Sequence, residues 1–448
     1  MRRPSGPALP AAAAVAMAAV LSATGMTSCG VLAPGALTQV HAVPGWAVST
    51  TVPAGRATLT VVSSENSGTT RALAAAFEKL HPGVAVDFRY TAVDDYNKSL
   101  NLTLSSDHAP DLALLNMLGT TVRADLVRSL DPCATAYGWD RSYPGTELAQ
   151  WRADDTGVRL GTGHLWAAPA GFSVVGVYYD KAVAAGLGIT APTTFAAFEA
   201  DLAKAKAAGK TPVQLGNLQG HASLVFQSVT DSVGGARTAS RWAYGIPGAT
   251  IEAPGGTAGA RALSDWARKG YLPAGANGTD LPGSVAAFAE GRSLFLFDGS
   301  WDAAVIDRTM PGRAGFIPLP GPSASSPATG IGTSIAYAIP TRAEHPDLAA
   351  AFLDFMGSAQ AAQLEFDTGF MPVAHADQVT APSGSVLADV AAAWRRVDRG
   401  NGLVPFFNNA TPTMNDTLTA AGQQLIGGRS SPAQFLTALQ ADWAREHG

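Results

Sequence analysis

The chain has 448 residues, of which 47% are hydrophobic and 15% charged, and its formal net charge is −5. That balance supports a large folded core and excludes a disordered chain. No basic face is available for nucleic acid, so none is expected as a partner.

In chain order, residues 1–29 read as a leader. Arg2 and Arg3 form a positive start, followed by an Ala/Val-rich apolar run from Ala11 to Leu21 that is too short for a permanent membrane span. It ends in Met26-Thr27-Ser28-Cys29-Gly30, which resembles a lipobox except that Met26 stands where Leu is usual. That resemblance implies a lipidated Cys29 and attachment to the outer face of the cell membrane, whereas an ordinary cleaved signal leaves Cys29 incidental. The only other cysteine is Cys133. With Cys29 lipidated Cys133 is unpaired; without it a Cys29–Cys133 bridge stays open. The Pro/Gly/Ala segment 30–56 reads as a flexible tether.

The folded part begins with an apolar strand, Ala57 to Ser63. Leu73, Phe77 and Leu80 then recur at helical spacing, and His81-Pro82-Gly83 stops that helix. A strand from Val84 to Tyr90, a helix around Tyr96–Leu104 and a strand through Asp111–Asn116 continue a β-α-β-α-β alternation. This pattern predicts an α/β fold with a mainly parallel sheet flanked by helices. Further on, Val177-Tyr-Tyr-Asp-Lys181 ends a strand, and Phe195, Phe198 and Leu202 mark a helix face. Pro212 to Leu215 is a strand, and Ala286 to Phe297 a helix, Gly turn and strand ending in Asp298-Gly299-Ser300-Trp301. Ala336 to Pro340 is another strand and Pro346–Met356 a helix; three C-terminal helices follow around 385–398, 411–426 and 431–446.

Several chemical motifs fail on spacing. Gly209-Lys210-Thr211 lacks the glycine five residues before the lysine that a phosphate-binding loop needs. Gly171-Phe172-Ser173 lacks the second glycine of a nucleophile elbow. The eight histidines are scattered without metal-ligand spacing, so neither a metal nor a cofactor is expected. Asp94-Asp95 and Asp154-Asp155 are adjacent pairs whose side chains diverge. No catalytic constellation is visible, which points to a binder and not an enzyme.

The order of these segments, about 390 residues of them, resembles the bacterial extracellular solute-binding proteins of the carbohydrate type, maltose-binding-protein-like. It is carried by Phe77-Glu-Lys-Leu-His-Pro-Gly-Val, Ala109-Pro-Asp-Leu, Val177 to Pro212, and Asp298-Gly-Ser-Trp. The resemblance implies a two-lobed periplasmic-binding-protein-like fold with several crossovers. Residues 57–170 plus 330–371 would form the first lobe and 171–329 plus 372–448 the second. It also implies a monomer that hands a sugar or related polyhydroxylated solute to the permease of an ABC importer. A glycerophosphodiester ligand and a secreted carbohydrate-active enzyme are the alternatives.

Sugar capture needs an aromatic face for the C–H side of the ring and polar groups for its hydroxyls. Trp301 is where the family places a stacking Trp, next to Asp298; the alternative for Trp301 is a core position. Ser64, Glu65 and Asn66 follow the first strand at its carboxyl end, where open α/β sheets bind ligands, and could equally cap the next helix. Asn116 ends a strand on the same rim or forms a turn. Phe172 and Ser173 sit at the first crossover, Ser173 standing where the family carries a sugar-binding carboxylate. Asn217, Gln219 and His221 match a ligand loop of the second lobe. Gly332 and Thr333 lie at the second hinge, and Asn415 in the C-terminal contribution, with Phe406-Phe407 as a core pair nearby. No Arg or Lys is in this set, which argues against a phosphodiester.

Overall fold

The computed structural model describes residues 46–65, 68–143 and 145–448. Cys29, the leader, most of the tether and Asn66 lie outside the described residues. Among the described residues there are eleven strands: β1 (Ala57–Ser63), β2 (Val84–Tyr90), β3 (Leu112–Leu114), β4 (Arg152–Ala153), β5 (His164–Leu165), β6 (Ala168–Asp180), β7 (Thr211–Gln214), β8 (Ser293–Gly299), β9 (Ala314–Ile317), β10 (Gly330–Ala338) and β11 (Leu403–Val404). β4 and β5 form a separate hairpin; the other nine make one sheet in the order β2-β1-β3-β10-β6-β8-β7, with β11 on β10 and β9 on β6. The flanking pairs β1–β2, β1–β3 and β7–β8 are parallel, as βαβ units require. The long strands β6 and β10 run antiparallel to each other through the middle, with Thr333 opposite Ser173 and Ile331 opposite Val175. They join the sheet of one half to that of the other.

Apolar side chains collect into two large clusters. One surrounds β1, β3 and the helix Pro346–Met356, with Leu59, Phe77, Trp139 and Phe352 fully buried; it also takes in Phe288, Ile306 and Trp394. The second surrounds β7 and β8, with Phe198, Phe226, Trp242 and Trp266 at its centre. A third, small cluster joins Val175 of β6 and Ile331 of β10 to Leu224 of the helix Ala222–Gly234.

The local stops follow the sequence. The helix Thr69–Leu80 ends at His81, ahead of Pro82, and Asp180 caps the helix Lys181–Gly186 by accepting from the amides of Ala182 and Val183. Crossing points need unusual backbone: Gly171 and Gly369 have φ of 95° and 98°, positions that disfavour a side chain. Phe172 and Met371 exchange backbone hydrogen bonds of 2.5 and 2.6 Å, so the first and third crossovers lie side by side. The end of the expected tether is docked. Trp46 donates its indole N–H to Asp347 (3.0 Å), and the Arg128 guanidinium lies over its ring. No helix among the described residues is long and apolar enough to cross a membrane.

Candidate functional site

A cleft of about 720 Å³, counting space open to solvent, has β10 in its floor through Thr333. One wall carries Asn116, the helix Leu118–Arg123, Gln150, Trp151 and the β4–β5 loop through Gly157, Val158 and Leu160. The other carries Tyr244, the segment Pro405 to Pro412, and Glu446 and His447 at the end of the helix Pro432–His447. The first wall is built on the first large cluster and the second on the other.

Local chemistry fixes both walls. In the β4–β5 loop, Asp154 accepts from Thr156 Oγ1 (2.7 Å), from the amides of Val158 and Arg159, and from Arg159 Nε. Burial works against that carboxylate, yet these donors hold it below the usual range. On the other wall, Asp442 accepts from Thr411 and Thr413 (2.8 Å each) and from Thr417, tying the segment that lines the cleft to the last helix. These hydroxyls outweigh burial and keep the Asp442 carboxyl below its ordinary value. His447 Nε2 lies 2.7 Å from the Ala410 carbonyl, and its ring packs on Trp443. Tyr244 presents an aromatic ring whose hydroxyl pKa is raised by burial. Gly161 of the facing wall approaches that ring: a Cβ there would come within 3.5 Å of it. At the mouth, Arg123 Nη2 and Glu446 Oε1 meet at 2.5 Å.

Of the residues expected from sequence, Asn116 and Thr333 line the cleft. Asn116 Nδ2 donates to Ser64 Oγ (3.0 Å) and to Asn97 Oδ1 (2.8 Å), so Ser64 orients Asn116 from behind. The Gly332 carbonyl accepts from the Gln150 amide (3.3 Å). Ser173 is buried and donates to the Thr333 carbonyl at 3.0 Å, which makes it a support of the floor.

Other expected residues lie elsewhere in the fold. Phe172 is fully buried and stacks on Trp394 with centroids 5.6 Å apart; its place on β6 points it into the core. Glu65 directs its carboxylate at the start of the helix Thr69–Leu80, accepting from the amides of Gly68 and Thr70 and from Thr70 Oγ1. Anions at a helix N-terminus are stabilised by the macrodipole, which these contacts exploit. Asn217 is buried and pins its own loop, donating to Asn277 (2.7 Å) and accepting from the Ala222 amide (2.8 Å). Gln219 and Asn415 are exposed and do not line the cleft. His221 precedes the helix Ala222–Gly234, and burial lowers its pKa, with Asp280 opposing.

Trp301 does not line the cleft either. It is half-buried, its indole folded over Gly299, where a Cβ would come within 2.2 Å of the ring. It lies against Phe406, 6.3 Å between centroids, beside the small cluster on β6 and β10, while Phe407 enters the second core against Trp242. Asp298 is fully buried; burial first, then the neighbouring Asp302, push its carboxyl well above the usual range. It accepts from the Gly299 amide and stabilises the turn into Trp301.

Arg123, Gln150, Trp151, Tyr244 and Glu446 escaped the sequence reading, and Arg123 removes the argument that the site lacks a cation. Among the described residues no group of three or more His, Cys, Asp or Glu could hold a metal.

Two cored halves joined by β6 and β10, with a polar and aromatic cleft between them, define a two-lobed ligand-binding fold. The sequence profile of the bacterial extracellular solute-binding proteins matches residues 63–363, and the chain belongs to that family. A "Probable sugar-binding periplasmic protein" of Mesorhizobium japonicum is 37% identical over 124 residues, 27% of this chain and 28% of that protein. The "Multiple sugar-binding protein" of Streptococcus mutans is 26% identical over 222 residues, 47% of this chain and 51% of that one. The chain thus spans about half or less of these relatives. Among solved structures, a "Chitin oligosaccharide binding protein" superposes with a TM-score of 0.72 at 19% identity, covering 88% of this chain and 99% of that one. "SBP RafE in complex with raffinose" superposes with 0.68 at 19% identity over 88% and 100%.

Proposed function

We propose that the protein is an extracytoplasmic solute-binding protein that captures a carbohydrate between two lobes and delivers it to an ABC importer. The observation that carries this reading is the cleft itself. Asn116, Gln150 and Thr333 offer neutral hydrogen-bonding groups beside the Tyr244 ring, with Arg123 and Glu446 on facing walls. An aromatic face plus mixed donors and acceptors suits a ring with one C–H side and a fringe of hydroxyls. The sugar-binding names of the relatives support the same ligand class.

In this account lobes of residues 57–170 plus 330–371 and 171–329 plus 372–448 close by bending at the crossovers. A ligand that touches both walls stabilises the closed state, because only that state makes both sets of contacts. The monomer, held to the membrane through a lipidated Cys29, then docks to permease subunits whose ATPase supplies the energy; this chain breaks no bond.

Charge separates the sugar from the glycerophosphodiester alternative. Arg123 could receive a phosphate, but Glu446 already occupies it, and a phosphodiester would have to displace that carboxylate at a cost in repulsion. The test is calorimetric titration with raffinose, stachyose, chitin oligosaccharides and glycerophosphocholine, with products analysed after long incubation. Saturable sugar binding without turnover is expected. Exclusive binding of glycerophosphocholine, or release of hydrolysed sugar, would overturn the proposal.

A further inference from the structure

At the mouth of the cleft one ion pair bridges the two halves. Arg123 ends the helix Leu118–Arg123 on the first wall, and Glu446 lies in the last turn of the helix Pro432–His447 on the second. Their closest atoms are 2.5 Å apart, and the side chains remain 46% and 23% exposed. The pair is therefore accessible to salt and to an incoming ligand.

The placement of Glu446 is costly within its own helix. The C-terminal turn carries the negative end of the helix dipole, which favours the flanking Arg445 and His447 and disfavours a carboxylate. Arg445 is turned toward Asp442, 3.4 Å away. The positive partner of Glu446 is the one across the cleft. Arg123, by contrast, suits the end of its own helix.

Arg123 is also backed by a rigid support. A Cβ on Gly119 would come within 2.3 Å of the Gly157 carbonyl oxygen, and one on Gly157 within 3.2 Å of the Arg123 amide nitrogen. The β4–β5 loop and the helix that carries Arg123 thus fit together only because both residues are glycine. The same loop brings Gly161 onto the Tyr244 ring, so the ion pair and this contact close the mouth together.

We propose that Arg123 and Glu446 form an electrostatic latch between the lobes that stabilises the closed state and restricts the cleft to uncharged solutes. The inference rests on the reading of this cleft as the capture site. An uncharged sugar leaves the pair intact and gains from the closure it favours. An anionic solute competes with Glu446 for Arg123 and opens the latch it needs. Both residues act on affinity by positioning the walls.

The test uses the full folded domain with Arg123→Glu, Glu446→Arg, the double charge swap, and Glu446→Gln, each checked by thermal melting. Small-angle scattering at 20 mM and 300 mM NaCl, without any solute, reads closure independently of ligand identity. Each single reversal should enlarge the radius of gyration at low salt, the swap should restore it, and high salt should erase the difference. Raffinose titration should show a loss of about 5- to 10-fold in each single reversal and recovery to within about twofold in the swap. Glu446→Gln should weaken raffinose and strengthen glycerol 3-phosphate binding. An unchanged radius in every variant, or single reversals without rescue by the swap, would overturn the latch while leaving sugar capture standing. If the wild-type protein binds no sugar, the proposed function fails, and the scattering series still decides whether the two walls are electrostatically coupled.

Discussion

Glu147 is 3% exposed, Glu365 1%, and each has one carboxyl oxygen without a hydrogen-bond partner among the described residues. The Tyr143 hydroxyl beside them is also unpartnered. Burial, with Asp398 adding to it, pushes the Glu147 carboxyl from an ordinary 4.5 to about 9. Between those values the native protein holds a proton that the unfolded chain releases, so stability falls as pH rises through this window. Integrated from pH 4.5 to neutrality at about 1.36 kcal/mol per pH unit, the loss is about 3 kcal/mol. Glu147→Gln keeps the shape and removes the titration. Urea unfolding at pH 5, 6, 7 and 8 should show a profile flatter than wild type by about 1.4 kcal/mol per pH unit, and a variant more stable than wild type at pH 8. Equal slopes in the two proteins would refute the claim that Glu147 is buried in its neutral form. Glu365 lies under the first crossover, where a Cβ on Gly171 would come within 3.4 Å of its carboxyl carbon.

Tyr244→Ala should weaken sugar binding by about 10-fold, as loss of a stacking face does, with little change in melting temperature; titration and melting curves check both. Trp301→Ala should behave in the opposite way, costing about 2–3 kcal/mol of stability by denaturant unfolding and changing sugar affinity less than Tyr244→Ala, because its ring packs against Phe406 and Gly299 outside the cleft. Cys29→Ala should release the protein from the membrane fraction into the medium, and continued attachment on fractionation would contradict lipidation at Cys29.

The elements were legible where local chemistry decides them. Leu73 and Phe77 at helical spacing, followed by His81-Pro82-Gly83, predict the helix Thr69–Leu80 with its observed end. Phe195 and Phe198 do the same for the helix Phe195–Ala207. Asn116 and Thr333 were legible because Asn116 follows the strand Leu112–Leu114 at its carboxyl end and Thr333 sits on the strand Gly330–Ala338. The residues found away from the cleft share an ambiguity: a polar residue after a strand looks the same whether it faces a cleft, as Asn116 does, or pins its own loop, as Asn217 does. Glu65 likewise carries a side chain equally suited to a ligand and to a helix terminus. Arg123 and Glu446 could not be paired from sequence, because they are 323 residues apart and meet only through the packing of two separate cores. Tyr244 sits at a helix end without any motif, and its role emerges only from the facing loop at Gly161. Trp301 packs away from the cleft for a different reason. Gly299 leaves room for the indole to fold back, and the ring takes that space.

Closure around a sugar is measured most directly as a distance between the walls. Spin labels at Lys98→Cys and Asp416→Cys, exposed on the helices Val93–Ser105 and Met414–Ile426, report it by pulsed dipolar spectroscopy. Titration with raffinose, stachyose and chitin oligosaccharides should shorten and narrow the distance distribution saturably for at least one of them. A distribution unchanged by every sugar would contradict the account.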